Sequence, residues 1–197
     1  MNNKVREITV HSLLIAVMAI MAFTPLGYIK IGIVQMTLMC IPVIAGIFFG
    51  GKKSGIILGF VFGLTSFIQC FGMDAFGTTL FSINPAYTVV LCFVTRILMG
   101  FIVGLIYDLF KKYKVKSIAS YAVISVLTPI LNTVFFVGTF ILFFRSTEYF
   151  ATLQETLGAT NLFAFAAAFA GLNALLEVIL CGAVGIPLCK ALEKIRH

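Results

Sequence analysis

Long apolar runs alternate with short polar breaks along the whole chain. Each run approaches or exceeds the ~20 residues that an α-helix needs to cross the hydrocarbon layer of a bilayer. In the breaks, glycine, proline and charged residues replace the apolar ones, and these residues favour helix ends and water. The pattern predicts six membrane-spanning helices, at about residues 8–25, 33–50, 54–72, 85–110, 118–144 and 161–190.

The composition supports the same class of protein. Of 197 residues, 61% are hydrophobic and only 11% are charged, and the mean hydropathy is +1.12. A soluble domain of this length could not remove so much apolar surface from water. We therefore predict an all-α membrane protein whose residues 1–197 form a single domain, a compact bundle of six helices in the lipid bilayer.

The basic residues gather in the breaks that lie on one side of the predicted bundle. Cytoplasmic loops of membrane proteins are enriched in lysine and arginine, so this side is predicted to be cytoplasmic, with both termini there and the protein in the cell membrane. The rule accounts for the net charge of +7 without a nucleic-acid partner. The residues are Lys4, Arg6, Lys52, Lys53, Lys111, Lys112, Lys114, Lys116, Lys190, Lys194 and Arg196.

A few polar side chains fall inside the predicted spans, where they are costly unless they face a partner or a wet cavity. Arg96 lies in the fourth span and Asn132 in the fifth. Asn173 and Glu177 are four residues apart in the sixth, so they share a helix face. Either Arg96 binds a substrate carboxylate in a cavity, or it forms an internal ion pair with Glu177. Further substrate-binding candidates near the predicted outer surface are Asn84, Tyr87, Tyr28, Gln35 and Thr37.

Several signatures are missing from the sequence. It has no nucleotide-binding glycine loop, HExxH, GxSxG or paired catalytic carboxylates, so we expect no enzyme activity, cofactor or metal site. The five cysteines lie in or beside apolar runs and are predicted to be buried free thiols. Glu177 is nearly the only acidic residue within a span, which argues against an ion-coupled carrier. The chain is expected to bind a solute and to depend on other proteins to move it.

Three segments carry a resemblance to a known family: "FTPLGYIKIG", "TLMCIPVIAGIFFGGKKSGIILGFVFGLTS" and "SINPAYTVVLCFVTRILMGFIVGLIY". With them, essentially the whole chain resembles the substrate-binding S components of energy-coupling factor (ECF) vitamin transporters, and most of all the pantothenate type. The resemblance implies a small vitamin as ligand, and a transmembrane scaffold subunit and two cytoplasmic ATPases as partners. S components for folate, pyridoxine-type compounds and hydroxymethylpyrimidine share the architecture and stay open as alternatives.

The resemblance also implies roles for the beginning of the chain. In the family, the first external loop covers the vitamin, and the matching stretch here contains Pro25, Gly27, Tyr28 and Gly32. Proline ends a helix and glycine permits tight turns, so Tyr28 could fold over the mouth of a cavity. A stripe of small residues in the first span docks on the scaffold in the family. Here its positions are Ser12 and Ala16, with Ala19 beside Ile20.

Other classes of function are still compatible with the sequence. A solitary carrier would transport its solute without partners, and an intramembrane enzyme would turn it over. A structural or assembly protein would have a filled interior in which the polar side chains satisfy only one another.

Overall fold

Seven helices and a two-stranded hairpin make up residues 3–24, 27–30 and 35–196, the part of the chain described by the computed structural model. Pro25 and Gly32 lie outside these residues. The helices are α1 (Asn3–Ala22), α2 (Cys40–Gln69), α3 (Ala75–Ile83), α4 (Pro85–Lys112), α5 (Ser117–Phe144), α6 (Glu148–Thr156) and α7 (Leu162–Arg196). The strands are β1 (Tyr28–Lys30) and β2 (Gln35–Thr37), which pair antiparallel between α1 and α2.

Five of these helices, α1, α2, α4, α5 and α7, are long and apolar enough to cross a membrane. The six separate spans predicted from the sequence are therefore not confirmed. The predicted second and third spans both fall largely within α2. The two shorter helices, α3 and α6, occupy the connections predicted at 73–84 and 146–160. The class of multi-pass helical membrane protein follows from the number and composition of the long helices.

Helix α2 reverses direction at Gly51. This residue has φ 58° and ψ −138°, which breaks the helix between two arms. The side chain of Leu58 packs against Gly46, and that of Ile47 packs beside Gly55. Residues eight and twelve apart would lie about 12 Å and about 18 Å apart along a straight helix, so these contacts require the arms to fold back on each other.

The prediction of a helix over 33–50 is wrong for the first part of that range. Gln35–Thr37 is a strand, and the helix begins only at Cys40. The first arm therefore rises about 16 Å, roughly half the hydrocarbon thickness. A short apolar segment can form either a β-strand or a helix. Here Gln35–Thr37 forms a strand because it pairs with Tyr28–Lys30.

The second arm of α2 packs on α4 through a stripe of glycines. A Cβ added at Gly59 would lie 2.5 Å from the Arg96 carbonyl oxygen, and one at Gly63 would lie 2.8 Å from that of Cys92. One turn nearer the Gly51 turn, Gly55 and Gly100 contact each other backbone to backbone. Such close approach of two helices is possible only without side chains between them. The stripe holds the cavity-lining part of α4 directly against α2.

Replacing Gly51 with alanine should destabilise the fold. The backbone angles there suit only glycine, and an added Cβ would meet the Asp108 carboxylate, which accepts a hydrogen bond from the Lys52 backbone N–H at 3.1 Å. We expect a loss of about 1–3 kcal/mol in the free energy of unfolding. Thermal unfolding in detergent, followed by far-UV circular dichroism, measures it. The same substitution at Gly138, which has open space around it, should not lower the midpoint; equal losses at both positions would contradict this account of the turn.

Two ends of the bundle differ in chemistry. The Gly51 turn lies at one end of the bundle. There His11 of α1 forms a hydrogen bond with the Ser54 hydroxyl at 2.6 Å, and Asp108 of α4 accepts one from the Lys52 backbone N–H. Most of the basic residues in the breaks belong to this end, which we call the basic end. The hairpin, α3 and α6 lie towards the other end, where the Gln69 side chain donates to the Ala22 carbonyl at 2.6 Å.

Candidate functional site

A cavity lies in the half of the bundle that holds the hairpin. Its lining comes from the hairpin and from α2, α3, α4, α5 and α7. The centre of a water molecule can occupy about 80 Å³ of it, and the whole hollow with its open mouth measures about 780 Å³. Phe62, from one apolar core, and Phe76 and Leu91, from a second core rich in aromatic residues, all line it. The cavity therefore lies where the two apolar cores meet.

The structure brings together seven of the nine residues predicted for substrate binding. They come from separate elements of the fold and reach the same cavity, as expected for polar groups that the bilayer would not tolerate. These residues are Tyr28, Gln35, Thr37, Arg96, Asn132, Asn173 and Glu177.

Arg96 is buried in the cavity wall with part of its hydrogen-bonding capacity unused. Its Nη1 donates to the Leu91 carbonyl at 2.6 Å and to the Thr95 hydroxyl at 2.8 Å. The centre of the guanidinium lies 4.7 Å from the Phe136 ring centroid and 5.4 Å from that of Phe62. These cation–π contacts and hydrogen bonds fix the position of the group. Its buried Nε has no hydrogen-bond partner among the described residues, so the guanidinium can still donate to an incoming acceptor.

Two acceptor atoms in the cavity are also unused. Glu177 accepts a hydrogen bond from the Thr37 backbone N–H through Oε1, at 2.8 Å. Its Oε2 and the Asn132 Oδ1 are buried without a partner among the residues described. Buried polar atoms are costly when unpaired. A ligand that donates hydrogen bonds here would therefore be bound more tightly than one that does not.

The internal ion pair considered from the sequence is not formed. Both Arg96 and Glu177 are described residues, and no ion pair within 4.0 Å joins them. Each makes its hydrogen bonds to backbone or hydroxyl groups instead. The two side chains consequently face the same cavity without direct contact between them.

The hairpin contributes Tyr28, Gln35 and Thr37 to the cavity lining and makes side-chain contacts to the neighbouring walls. Tyr28 contacts the Thr65 hydroxyl at 3.2 Å, and because Thr65 donates its own hydrogen to the Phe62 carbonyl, the phenol must be the donor. Burial raises the pKa of Tyr28 well above its ordinary value, so the phenol stays protonated at physiological pH. On β2, the Gln35 amide donates to Asp74 Oδ1 at 2.8 Å. The hairpin is thus tied to α2 and to the turn before α3.

Asn84 and Tyr87, the other two candidates, do not line the cavity. Asn84 precedes α4, and its side chain caps that helix by accepting a hydrogen bond from the Tyr87 backbone N–H at 3.1 Å. The Tyr87 ring is exposed and stacks on Phe143, with centroids 4.7 Å apart. These contacts position the start of α4, and we leave both residues out of the proposed site.

Other residues line the cavity that the sequence reading did not select. Gln69 could have been selected from the sequence, since it is a polar amide near the end of a predicted span. Asp74 caps α3 by accepting a hydrogen bond from the Gly77 backbone N–H at 2.8 Å, and it also accepts one from the Gln35 amide. The lining phenylalanines could not be recognised from the sequence, because nothing distinguishes them from the others among its 21 phenylalanines. The additional lining residues include Phe62, Ser66, Gln69, Asp74, Thr88 and Phe136.

The small residues predicted for partner docking lie on the surface of α1. Ser12, Ala16 and Ala19 are all exposed in the single chain, and Ile20 beside them is also exposed. Their exposure leaves a narrow face on which another helix could approach closely.

Comparison with known proteins places the chain in a family. No curated protein matches the sequence. A family model described as "ECF transporter, substrate-specific component" matches residues 6–189, nearly the whole chain. That match agrees with the membrane helices and with the cavity that polar side chains from several elements share. The chain therefore belongs to the family of substrate-specific components of ECF transporters, which are transporter subunits and not enzymes.

Proposed function

We propose that this protein binds pantothenate in the cavity around Arg96 and delivers it to an ECF transporter. The observation that carries the proposal is the set of unused polar atoms: one buried cationic donor, Arg96 Nε, and two buried acceptors, Glu177 Oε2 and Asn132 Oδ1. Pantothenate has a carboxylate for the guanidinium, and an amide N–H and two hydroxyls that can donate to the acceptors.

The alternative vitamins fit this set of atoms less well. Pyridoxine and hydroxymethylpyrimidine have no carboxylate to place against Arg96. Folate has carboxylates and N–H donors, but it is much larger than pantothenate and carries many more polar groups than the three unused polar atoms of the cavity can bind. Folate is therefore the second candidate, favoured by its carboxylates and its N–H donors.

A thermal-shift screen across the water-soluble vitamins tests the proposal. A ligand at 100 times its Kd stabilises the folded state by about 2.7 kcal/mol, so pantothenate should raise the unfolding midpoint clearly. Circular dichroism is the suitable signal, because the chain has no tryptophan. A shift with folate but not with pantothenate would favour the second candidate. A screen with no shift at all would favour a protein without a vitamin site.

For transport, we propose that the chain works with a transmembrane scaffold subunit and two cytoplasmic ATPases. The exposed α1 face with Ser12, Ala16 and Ala19 is the proposed contact with the scaffold. The basic end and both termini would face the cytoplasm, and the hairpin would face outward. In proteoliposomes, the purified chain alone should bind pantothenate without uptake, and adding the scaffold, the ATPases and ATP should start uptake. Uptake by the chain alone would instead indicate a solitary carrier.

Gln35→Ala should speed the release of bound vitamin. The substitution removes the hydrogen bond to Asp74 that ties β2 to the turn before α3, while the Asp74 cap on α3 stays in place. Losing one such bond costs about 1 kcal/mol, so we expect a roughly fivefold faster dissociation rate. Chase of bound radiolabelled pantothenate by excess unlabelled vitamin measures that rate. Gln154→Ala, which alters an amide bonded within the α6 region, is the matched control, and equal rates in all three proteins would rule out a closing role for Gln35.

A further inference from the structure

Two of the five cysteines face each other in the wall of the cavity. The Sγ atoms of Cys70 and Cys92 are 3.9 Å apart, and both residues are free thiols that line the hollow. The other three cysteines are also buried and free, but they do not contribute to its lining. The function proposed above uses neither Cys70 nor Cys92.

The positions of the two thiols follow from the packing of α2 on α4. Gly63 allows α2 to approach the Cys92 carbonyl closely, and Cys70 follows one residue after the end of α2. A disulfide needs its sulfurs about 2.05 Å apart, so they must approach further. Cys70 can move without breaking a long helix, because it begins the turn to α3. Within that turn Gly72 has φ 97° and open space around it.

We propose that Cys70 and Cys92 form a reversible disulfide when a hydroperoxide enters the cavity. Hydrogen peroxide is little larger than water, and water-sized space is present beside the thiols. One thiol loses its proton, its sulfur attacks a peroxide oxygen and the O–O bond breaks; a sulfenic acid forms, and the leaving hydroxide takes up the proton to become water. The second thiol then attacks the sulfenic sulfur and releases a second water. In total, two thiols and one hydrogen peroxide give one disulfide and two waters.

The disulfide would join the end of α2 covalently to α4. The turn that follows Cys70 leads to Asp74, the residue that holds β2 through Gln35. Oxidation therefore fixes one side of the cavity mouth against α4, close to the contact that ties down the hairpin. Reduction by an external or added dithiol restores the two thiols and the freedom of the turn.

Peptide mapping of oxidised protein tests the proposal without any vitamin or partner subunit. The folded protein in detergent is treated with hydrogen peroxide and the peroxide is removed. The protein is then unfolded in denaturant, its remaining thiols are alkylated, and the peptides are analysed by mass spectrometry. We expect alkylation at Cys40, Cys181 and Cys189 only, a cross-linked peptide joining Cys70 to Cys92, and full reversal by dithiothreitol. Circular dichroism checks that the oxidised protein is still folded.

Variants identify the pair. Cys70→Ser and Cys92→Ser should each abolish the cross-link, whereas Cys189→Ser, a matched change outside the cavity, should leave it intact. A cross-link between other cysteines, sulfinic acid at Cys70 or Cys92 without a cross-link, or unchanged alkylation of both residues would each overturn the proposal.

Discussion

Arg96→Ala should lower the affinity for pantothenate by about ten- to a hundredfold, which corresponds to about 1.5–3 kcal/mol for a hydrogen bond to a charged group. Arg96 is 6% exposed, so its interaction with a carboxylate is poorly screened by water and salt. The Phe62 and Phe136 rings and the Leu91 carbonyl hold it in place before the ligand arrives. Little entropy is therefore lost when the ion pair forms. Isothermal titration calorimetry in detergent measures the change.

The control for this prediction is a second arginine and a second ligand. Arg145 is exposed after the end of α5, and Arg145→Ala should bind pantothenate like the unmodified protein. Pantothenol, in which an alcohol replaces the carboxylate, should bind the unmodified protein more weakly than pantothenate does. In Arg96→Ala that difference should largely disappear, because the group that distinguishes the two ligands is gone.

Arg96→Lys separates the charge from the shape of the guanidinium. Lysine keeps a positive charge but lacks the planar guanidinium. The affinity of the Arg96→Lys protein for pantothenate should therefore fall between those of the unmodified protein and of Arg96→Ala. A folded Arg96→Ala protein that still discriminates pantothenate from pantothenol as strongly as before would remove Arg96 from carboxylate binding, whatever the absolute affinity.

The sequence was informative about the site because the bilayer penalises polar side chains. Four polar residues stand out in the apolar runs: Arg96, Asn132, Asn173 and Glu177. Such residues avoid contact with lipid when they face one polar cavity inside the bundle. The cavity contains all four. Asn84 was selected because it lies near the predicted outer surface, but its side chain caps α4, and asparagine followed by proline is a common helix start. Its capping role could have been recognised from those two residues.

The hairpin and the turn of α2 were beyond the same reasoning. The residues that form β2 belong to an apolar run, and hydropathy does not separate a strand from a helix when the run is short. At Gly51, the sequence signalled a break between helices, but not that the break is a single residue with φ 58°. Both features depend on long-range contacts, with β1 in one case and with Asp108 in the other.

Gly100→Ala should be strongly destabilising, even though alanine normally improves a helix. An added methyl group at Gly100 would run into the Gly55 carbonyl, a backbone atom that no rotamer change can move aside. Helices α2 and α4 would have to separate, which we expect to cost about 2–3 kcal/mol by the measure of overpacked cores. The loss of contact would extend to Gly59 and Arg96, the next pair of the stripe.

The same substitution at Gly171 is the matched control. Gly171 lies within α7 and is exposed, with no atom within 4 Å of an added Cβ. Alanine there should be neutral or should stabilise the helix by up to about 1 kcal/mol, because it restricts the unfolded chain. Unfolding midpoints of the two variants should therefore move in opposite directions, or only that of Gly100→Ala should fall. If the two midpoints fell equally, helix propensity or detergent effects would explain both, and the close contact of α2 with α4 would not be a source of stability.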